Sequence, residues 1–128
     1  MKNPMHMRAD RLLVAHLIVS LVKQLHKSIF TDAVTNFGKE VDAVFVVCCV
    51  SIGHAENKPM TASDISHYLG IRRTTVQRKL DELMKMDIVV RHGTRYWLSP
   101  DRLKNADKYI TEATKIIGHA QRHVKIAA

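Results

Sequence analysis

The chain has little of what most enzymes and most all-β domains are built from. Five Gly and three Pro among 128 residues, with 5% aromatics, leave too few turn formers for a strand-rich sandwich or barrel, and none gathered into a phosphate-cradling loop. Cysteine is confined to the neighbours Cys48 and Cys49, inside an apolar run. A bridge between adjacent cysteines is strained, so no disulfide framework is available and the reducing cytoplasm is the expected compartment. No nucleophile with its base, paired carboxylates or metal-ligand set stands at a recognised spacing, and Ser51 and Ser63 have no motif around them. Neither a catalytic residue nor a resident cofactor is therefore expected. Acid is the minority charge: 12 Asp and Glu against 20 Lys and Arg give a net charge of +8, which favours a polyanionic partner.

Export and membrane insertion are not expected either. Lys2, Arg8 and Arg11 precede the apolar run Leu12 to Val22 as in a signal peptide, but Lys23-Gln24-Leu25-His26-Lys27 stands where the small-residue cleavage site belongs. The run is also shorter than a bilayer span.

What is present is helical periodicity. From about Asp10 to Phe37, the residues Val14, Ile18, Leu21, Leu25 and Ile29 recur at steps of three and four, the stripe of an amphipathic helix, with Gly38 as its expected stop. A second helix from about Lys39 to Glu56 is expected to bury Val41, Val44, Phe45 and Cys48 with Cys49 and Ile52, although the Val-rich run Ala43 to Val50 also suits a buried strand. Asn57-Lys58-Pro59 ends it. Thr61 and Asp64 have the spacing of a capping box, opening a short helix that carries Ile65, Tyr68 and Leu69 inward and stops at Gly70. A further helix begins at about Arg72 or Thr74 and buries Val76, Leu80, Leu83 and Met84. Beyond Asp87 the period is that of strands, and Ile88 to Arg91 with Arg95 to Leu98 read as a β-hairpin around His92-Gly93-Thr94. Ser99-Pro100-Asp101 then opens a last helix, along which Leu103, Ala106, Ile110, Ala113, Ile117, Ala120 and Val124 repeat as a heptad seam. The expected fold is mainly α with a small β-hairpin, a single domain over 1–128 whose lobe at 39–98 lies between terminal helices at 10–37 and 101–126.

Helix, tight turn, helix and hairpin between residues 61 and 98 is the order of a winged helix-turn-helix, whose second helix enters the DNA major groove while the hairpin reaches the flanking backbone. The charge follows that order. Between Ile71 and Leu80 stand Arg72, Arg73, Arg78 and Lys79 with no acid, and Asp81 and Glu82 come only after two helical turns. Arg91, His92 and Arg95 bracket the hairpin turn. By residue type, the arginines suit guanine or phosphate, Gln77 suits adenine, and Thr74 and Thr75 suit phosphate or a thymine methyl. Two plainer readings compete: Thr74 with Gln77 also has the spacing of a capping box, and Arg78 and Lys79 also suit a solvated face with Asp81 and Glu82.

The stretch from Met60 to Leu83, with the Thr61-Ala-Ser-Asp box, Gly70 and the Arg72-Arg-Thr-Thr-Val-Gln-Arg-Lys run, resembles bacterial winged-helix regulators, and the order of elements is similar to that of the MarR family. The resemblance implies a homodimer held by its terminal helices, each subunit offering a recognition helix at Arg72 to Lys79 and a wing tip at Arg91 to Arg95, with a small-molecule effector often relieving binding. The wing here is shorter than is usual in that family and lacks its Asp-x-Arg pattern. The seam residues Leu103, Ile110, Ile117 and Val124, with Val14, Ile18 and Leu21, are the expected dimer interface, against the alternative that both stripes pack within one subunit. Double-stranded DNA carrying an inverted repeat is the expected partner of a transcriptional regulator, more often a repressor. A protein-assembly module of the same fold and an ArsR-type metal-responsive regulator are the alternatives. For the latter, His119 and His123 have metal-ligand spacing but lack a third ligand, so no metal site is expected, and Cys48 and Cys49 read as core rather than as a redox sensor.

Overall fold

The computed structural model describes residues 4–30, 36–104 and 106–123, with the side chains of 9–30, 36–104 and 110–123. In chain order the elements are α1 (Pro4–Ile29), α2 (Phe37–Ala55), β1 (Met60–Thr61), α3 (Ala62–Leu69), α4 (Arg73–Lys85), β2 (Val89–His92), β3 (Arg95–Leu98), α5 (Pro100–Lys104) and α6 (Ala106–His123). They divide into two compact units, one of α1 with α6 from Asp107 onward, the other running from α2 through α5.

In the first unit, α1 ends at Ile29 and Phe30 lies outside it, so the helix does not run on to Phe37. The reason is a new start: Asn36, in extended backbone, accepts a 3.3 Å hydrogen bond from the Lys39 amide and caps α2, which places Gly38 in the first turn of α2 rather than at the end of α1. Residues 31–35 lie outside the described residues. Over Ala9–Ile29, α1 is long and apolar enough to cross a membrane by length and composition alone, so the span is longer than the run Leu12 to Val22 suggests. On α6, Ala120 is buried and Ala113 half-buried, while Ile110 and Ile117 are exposed. Val124 of the expected seam lies outside the described residues.

The second unit is built on α2. Ala43, Val44, Val46, Val47, Cys49, Val50 and Gly53 are buried, which is most of the helix circumference. A buried arc that broad marks a helix packed by several neighbours, and its centre corrects the expected stripe: Phe45 is exposed, and Val41, Cys48 and Ile52 are only half-buried. Around it pack α3, α4 and the sheet, closing a core with Ala62, Ile65, Val76, Leu80, Leu83, Ile88, Val89 and Tyr96. Gly53 is where β1 comes closest. A Cβ there would sit 2.8 Å from the Lys58 carbonyl oxygen and 3.1 Å from the Met60 amide, all backbone that cannot swing away. Gly53→Ala is accordingly expected to destabilise the unit by about 1–3 kcal/mol in chemical denaturation, despite the better helix propensity of alanine.

Helix ends follow from local chemistry. The Thr61 hydroxyl accepts from the Asp64 amide at 3.1 Å and the Asp64 carboxylate accepts from the Thr61 amide at 3.0 Å, completing the capping box, and Gly70 ends α3 at φ 69. Asn57 (φ 55) and Asp87 (φ 61) take the left-handed position after α2 and α4, where the following amides reach back to Gly53 and Leu83 in the manner of a Schellman motif. β2 and β3 form the expected hairpin, and the sheet gains a third strand not foreseen: β1 pairs antiparallel with β3, giving the order β1-β3-β2. Two residues carry no period from which to read a strand. Ser99 caps α5 as expected, its Oγ accepting from the Arg102 amide at 3.1 Å.

Burial raises the thiol pKa of Cys48, and that of Cys49 to about 11, where the neighbouring Cys48 adds to the effect. Thiolate is then scarce at neutral pH. A thiol reagent at pH 7 is expected to label Cys49 in the folded protein far more slowly than in denaturant, as followed by mass spectrometry.

Candidate nucleic-acid interface

The first turn of α4 is electrostatically unusual. Arg72 is its N-cap residue and makes no side-chain cap, Arg73 is its first helical residue, and the turn contains no acid. A helix N-terminus already carries partial positive charge and unpaired amides, so cations there are unfavourable until an anion joins them. Arg72, Arg73, Thr74 and Arg78 are all exposed: Thr74 and Arg78 face away from the fully buried row of Val76, Leu80 and Leu83, and Arg72 and Arg73 stand at the open N-terminal end of the helix. Among the described residues, Arg72, Arg73, Arg78 and Arg91 make no ion pair.

Not every residue assigned from the sequence joins that face. Lys79 is turned into its own unit: its ammonium donates to the Lys39 carbonyl at 3.2 Å and lies 3.6 Å from Glu82, with only 12% of the side chain exposed. Gln77 is engaged as well, its Nε2 donating to Asp81 Oδ1 and to the Tyr96 hydroxyl, each at 3.1 Å. The capping box of Thr74 with Gln77 does not form, because the N-cap of α4 is Arg72, two residues earlier, and the Gln77 side-chain amide is held by Asp81 and Tyr96. Thr75 is half-buried.

The hairpin sorts its cations by face. Arg91 pairs across the strands with Tyr96, on the face that meets α4, whereas His92 lies on the opposite face with Val90 and Trp97. Arg95, the first residue after the turn, serves as a brace. Its Nη1 donates to the Pro59 carbonyl at 2.6 Å and stands 4.0 Å from Asp64, tying β3 to the start of α3. The turn itself is two residues long, with Gly93 at φ 65 in a position that a side chain would strain.

Hydrogen bonds from the Thr61 backbone and hydroxyl, aided by Arg95 and His67, hold the Asp64 carboxyl below the usual carboxylate range. A depressed pKa in the folded state gives stability that is present above the unfolded value and lost as pH falls through the folded one. Thermal melts of Asp64→Ala are therefore expected to fall below wild type at neutral pH, and the gap is expected to close in acid.

One residue was missed. Tyr68 was expected to face inward with Ile65 and Leu69, yet it is 63% exposed. Ala62, Ile65 and Leu69 already complete the inner stripe at steps of three and four, which leaves Tyr68 at its edge. The only signal for it is that α3 is too short to bury more than one row.

On the other side of the sheet, His54, Val90, His92, Trp97, Leu98, Pro100 and Leu103 line an open pocket of about 550 Å³. The Leu98 amide donates to His54 Nδ1 at 3.1 Å, which fixes the neutral ring's proton on Nε2, and the ring meets Trp97 edge-on at 5.1 Å. Leu103, assigned from the sequence to a dimer seam, is a lining residue of this pocket. Among the described residues no group of three His, Cys, Asp or Glu side chains is placed to hold a metal ion; the His123 ring instead stands 2.7 Å from the His119 carbonyl oxygen.

Residues 55–108 match the family model described as the sugar-specific transcriptional regulator TrmB. No curated protein matches the chain. The matched stretch holds β1, α3, α4, β2, β3 and α5, the helix-turn-helix and hairpin with their cationic face but not α2, and it supports a DNA-binding transcriptional regulator of winged-helix type without pointing to the MarR family.

Proposed function

We propose that the protein is a sequence-specific, double-stranded DNA-binding transcriptional regulator that acts as a homodimer on an inverted repeat and represses by occupying a promoter. The observation that carries this reading is the exposed, acid-free start of α4 with Arg72, Arg73 and Arg78, joined by Arg91 from the same side of the hairpin. Arginine forks suit guanine edges and phosphates, and an anion relieves the repulsion that these cations meet at a helix N-terminus. Thr74 adds an exposed hydroxyl in the same turn of α4. Support for self-association comes from the terminal helices: Leu12, Val14, Ile18 and Val19 of α1 are each more than half exposed, as is Ile110 of α6, in a single chain. Apolar stripes of that length are covered in a stable protein, and a second copy supplies a matching stripe by two-fold symmetry. The resemblance of the sequence to the MarR family implies such a dimer.

Binding to duplex DNA measured by fluorescence anisotropy over a salt series tests the reading. With Arg72, Arg73, Arg78 and Arg91 offered by each subunit of a dimer, log K is expected to fall with log salt at a slope between about −4 and about −7, according to how many of them meet phosphate rather than base. A flat salt response, or equal affinity for an acidic protein and for DNA, would transfer the cationic face to protein assembly.

A further inference from the structure

Gln77 was assigned by its residue type to adenine, but the structure gives it another task. Its Nε2 is 3.1 Å from the Tyr96 hydroxyl, nineteen residues away on β3, and 3.1 Å from Asp81 Oδ1 one turn further along α4. The Asp81 carboxylate accepts only, so it fixes the end of the Gln77 amide that faces it and leaves the second N–H for the tyrosine. Tyr96 is 2% exposed, and its ring is held in the core of its unit. Directly across the strands from Tyr96 is Arg91, whose side chain leaves the sheet on the same face. On the helix, Gln77 is one turn beyond Arg73 and adjacent to Arg78, the exposed cations of α4.

We propose that Gln77 and Tyr96 form a latch between the reading helix and the wing, which sets Arg91 at a fixed offset from Arg73 and Arg78 so that the three meet one duplex together. The two are positioning residues: neither touches DNA. The inference rests on the DNA-binding reading above and deepens it, because it names what makes the helix and the hairpin a single interface. Packing of β2 against α4 and the Arg95 brace hold the hairpin to its unit, and the Gln77–Tyr96 bond adds a directional tie between the reading helix and the strand that pairs with Arg91. With the latch closed, the cost of orienting Arg91 is met on folding, and its contact adds in full to those of the helix.

The test is a double-mutant cycle on the full-length protein and a duplex site, with the salt slope measured for each variant. Tyr96→Phe keeps the buried ring and removes only the hydroxyl. Arg91→Ala is expected to weaken wild-type binding at least about tenfold and to make the salt slope shallower by about 1.8, as for the loss of one phosphate contact in each of two subunits. Tyr96→Phe is expected to do the same, and in the Tyr96→Phe background Arg91→Ala is expected to cost less than about twofold. A purely structural role for the hydroxyl would lower the melting temperature and leave both the slope and the effect of Arg91→Ala unchanged. Gln77→Leu, which opens the latch from its helical end, is expected to reproduce the coupling and replaces Tyr96→Phe should that variant fold poorly. Equal losses from Arg91→Ala in both backgrounds, in a protein whose wild type binds DNA tightly, would overturn the latch alone. A wild type that binds no duplex overturns the DNA reading and the latch with it.

Discussion

Alanine at Arg73 is expected to lower affinity for a specific duplex by about 5–150-fold, the equivalent of about 1–3 kcal/mol for one bidentate base contact. Arg73 is exposed and stands at the positive end of α4, where no acid offsets it. Its removal therefore touches no packing and relieves a local repulsion, so the melting temperature is expected to hold or to rise slightly while binding collapses. Few substitutions move function and stability in opposite directions, and those that do mark a site kept for a ligand rather than for the fold. Arg78→Ala is expected to behave alike. The two arginines share no partner in the protein, and the double variant is expected to lose the product of the single losses. Lys79→Ala supplies the contrast. Because the ammonium is bonded to the Lys39 carbonyl, its loss is expected to reduce stability and to leave the DNA affinity within about twofold of wild type. Anisotropy titrations paired with thermal melts read both quantities on the same samples.

Ile18→Glu is expected to have the other large effect. Glutamate keeps the helical propensity of α1 but sets a charge on the broad exposed apolar face that the rows Val14–Ile18 and Leu12–Val19 make together. Two copies joined through that face would bring two such charges together across the symmetry axis, and the dimer is expected to dissociate in analytical ultracentrifugation. Each subunit would then hold only one half-site. Losing the tethered second half-site is expected to weaken binding to an inverted repeat by about 10²–10⁴-fold, with little change at an isolated half-site. If α1 and α6 pack only within one subunit, Ile18→Glu should instead lower stability and leave half-site and full-site affinities in the same ratio.

How much of this was legible from residues alone depends on the range of the interaction that decides each feature. The capping box of Thr61 and Asp64, the stop at Gly70, the Ser99 cap and the hairpin around Gly93 are decided within four residues and stand as the sequence implies. The inner row of α4, Val76, Leu80 and Leu83, is likewise carried by helical period. Elsewhere the deciding partner is distant. Lys79 and Arg95 look like free cations in a basic run until the Lys39 and Pro59 carbonyls, forty and thirty-six residues away, are brought to them by the fold. Gln77 has the residue type of a base reader, and its amide is engaged by Asp81 one turn on and by the Tyr96 hydroxyl nineteen residues away. The strand β1 has two residues and exists because β3 offers it an edge. Gly38 misled for a simpler reason: Asn36, just before it, is the stronger signal for a helix start, so the glycine falls in the first turn of α2. The candidate interface that results is narrower than the sequence proposes, but its centre at Arg72, Arg73 and Arg78 is unchanged.

The central claim is that the cationic start of α4, paired by symmetry with its twin, reads a duplex. Selection of bound sequences from random duplex DNA by the purified full-length protein tests it most directly. The account predicts enrichment of an inverted repeat whose half-site centres lie about one helical turn, ~34 Å, apart, and loss of that enrichment with Arg73→Ala. A pool that stays random at physiological salt, or a wild type and an Arg73→Ala variant that enrich the same sequences equally, would contradict it.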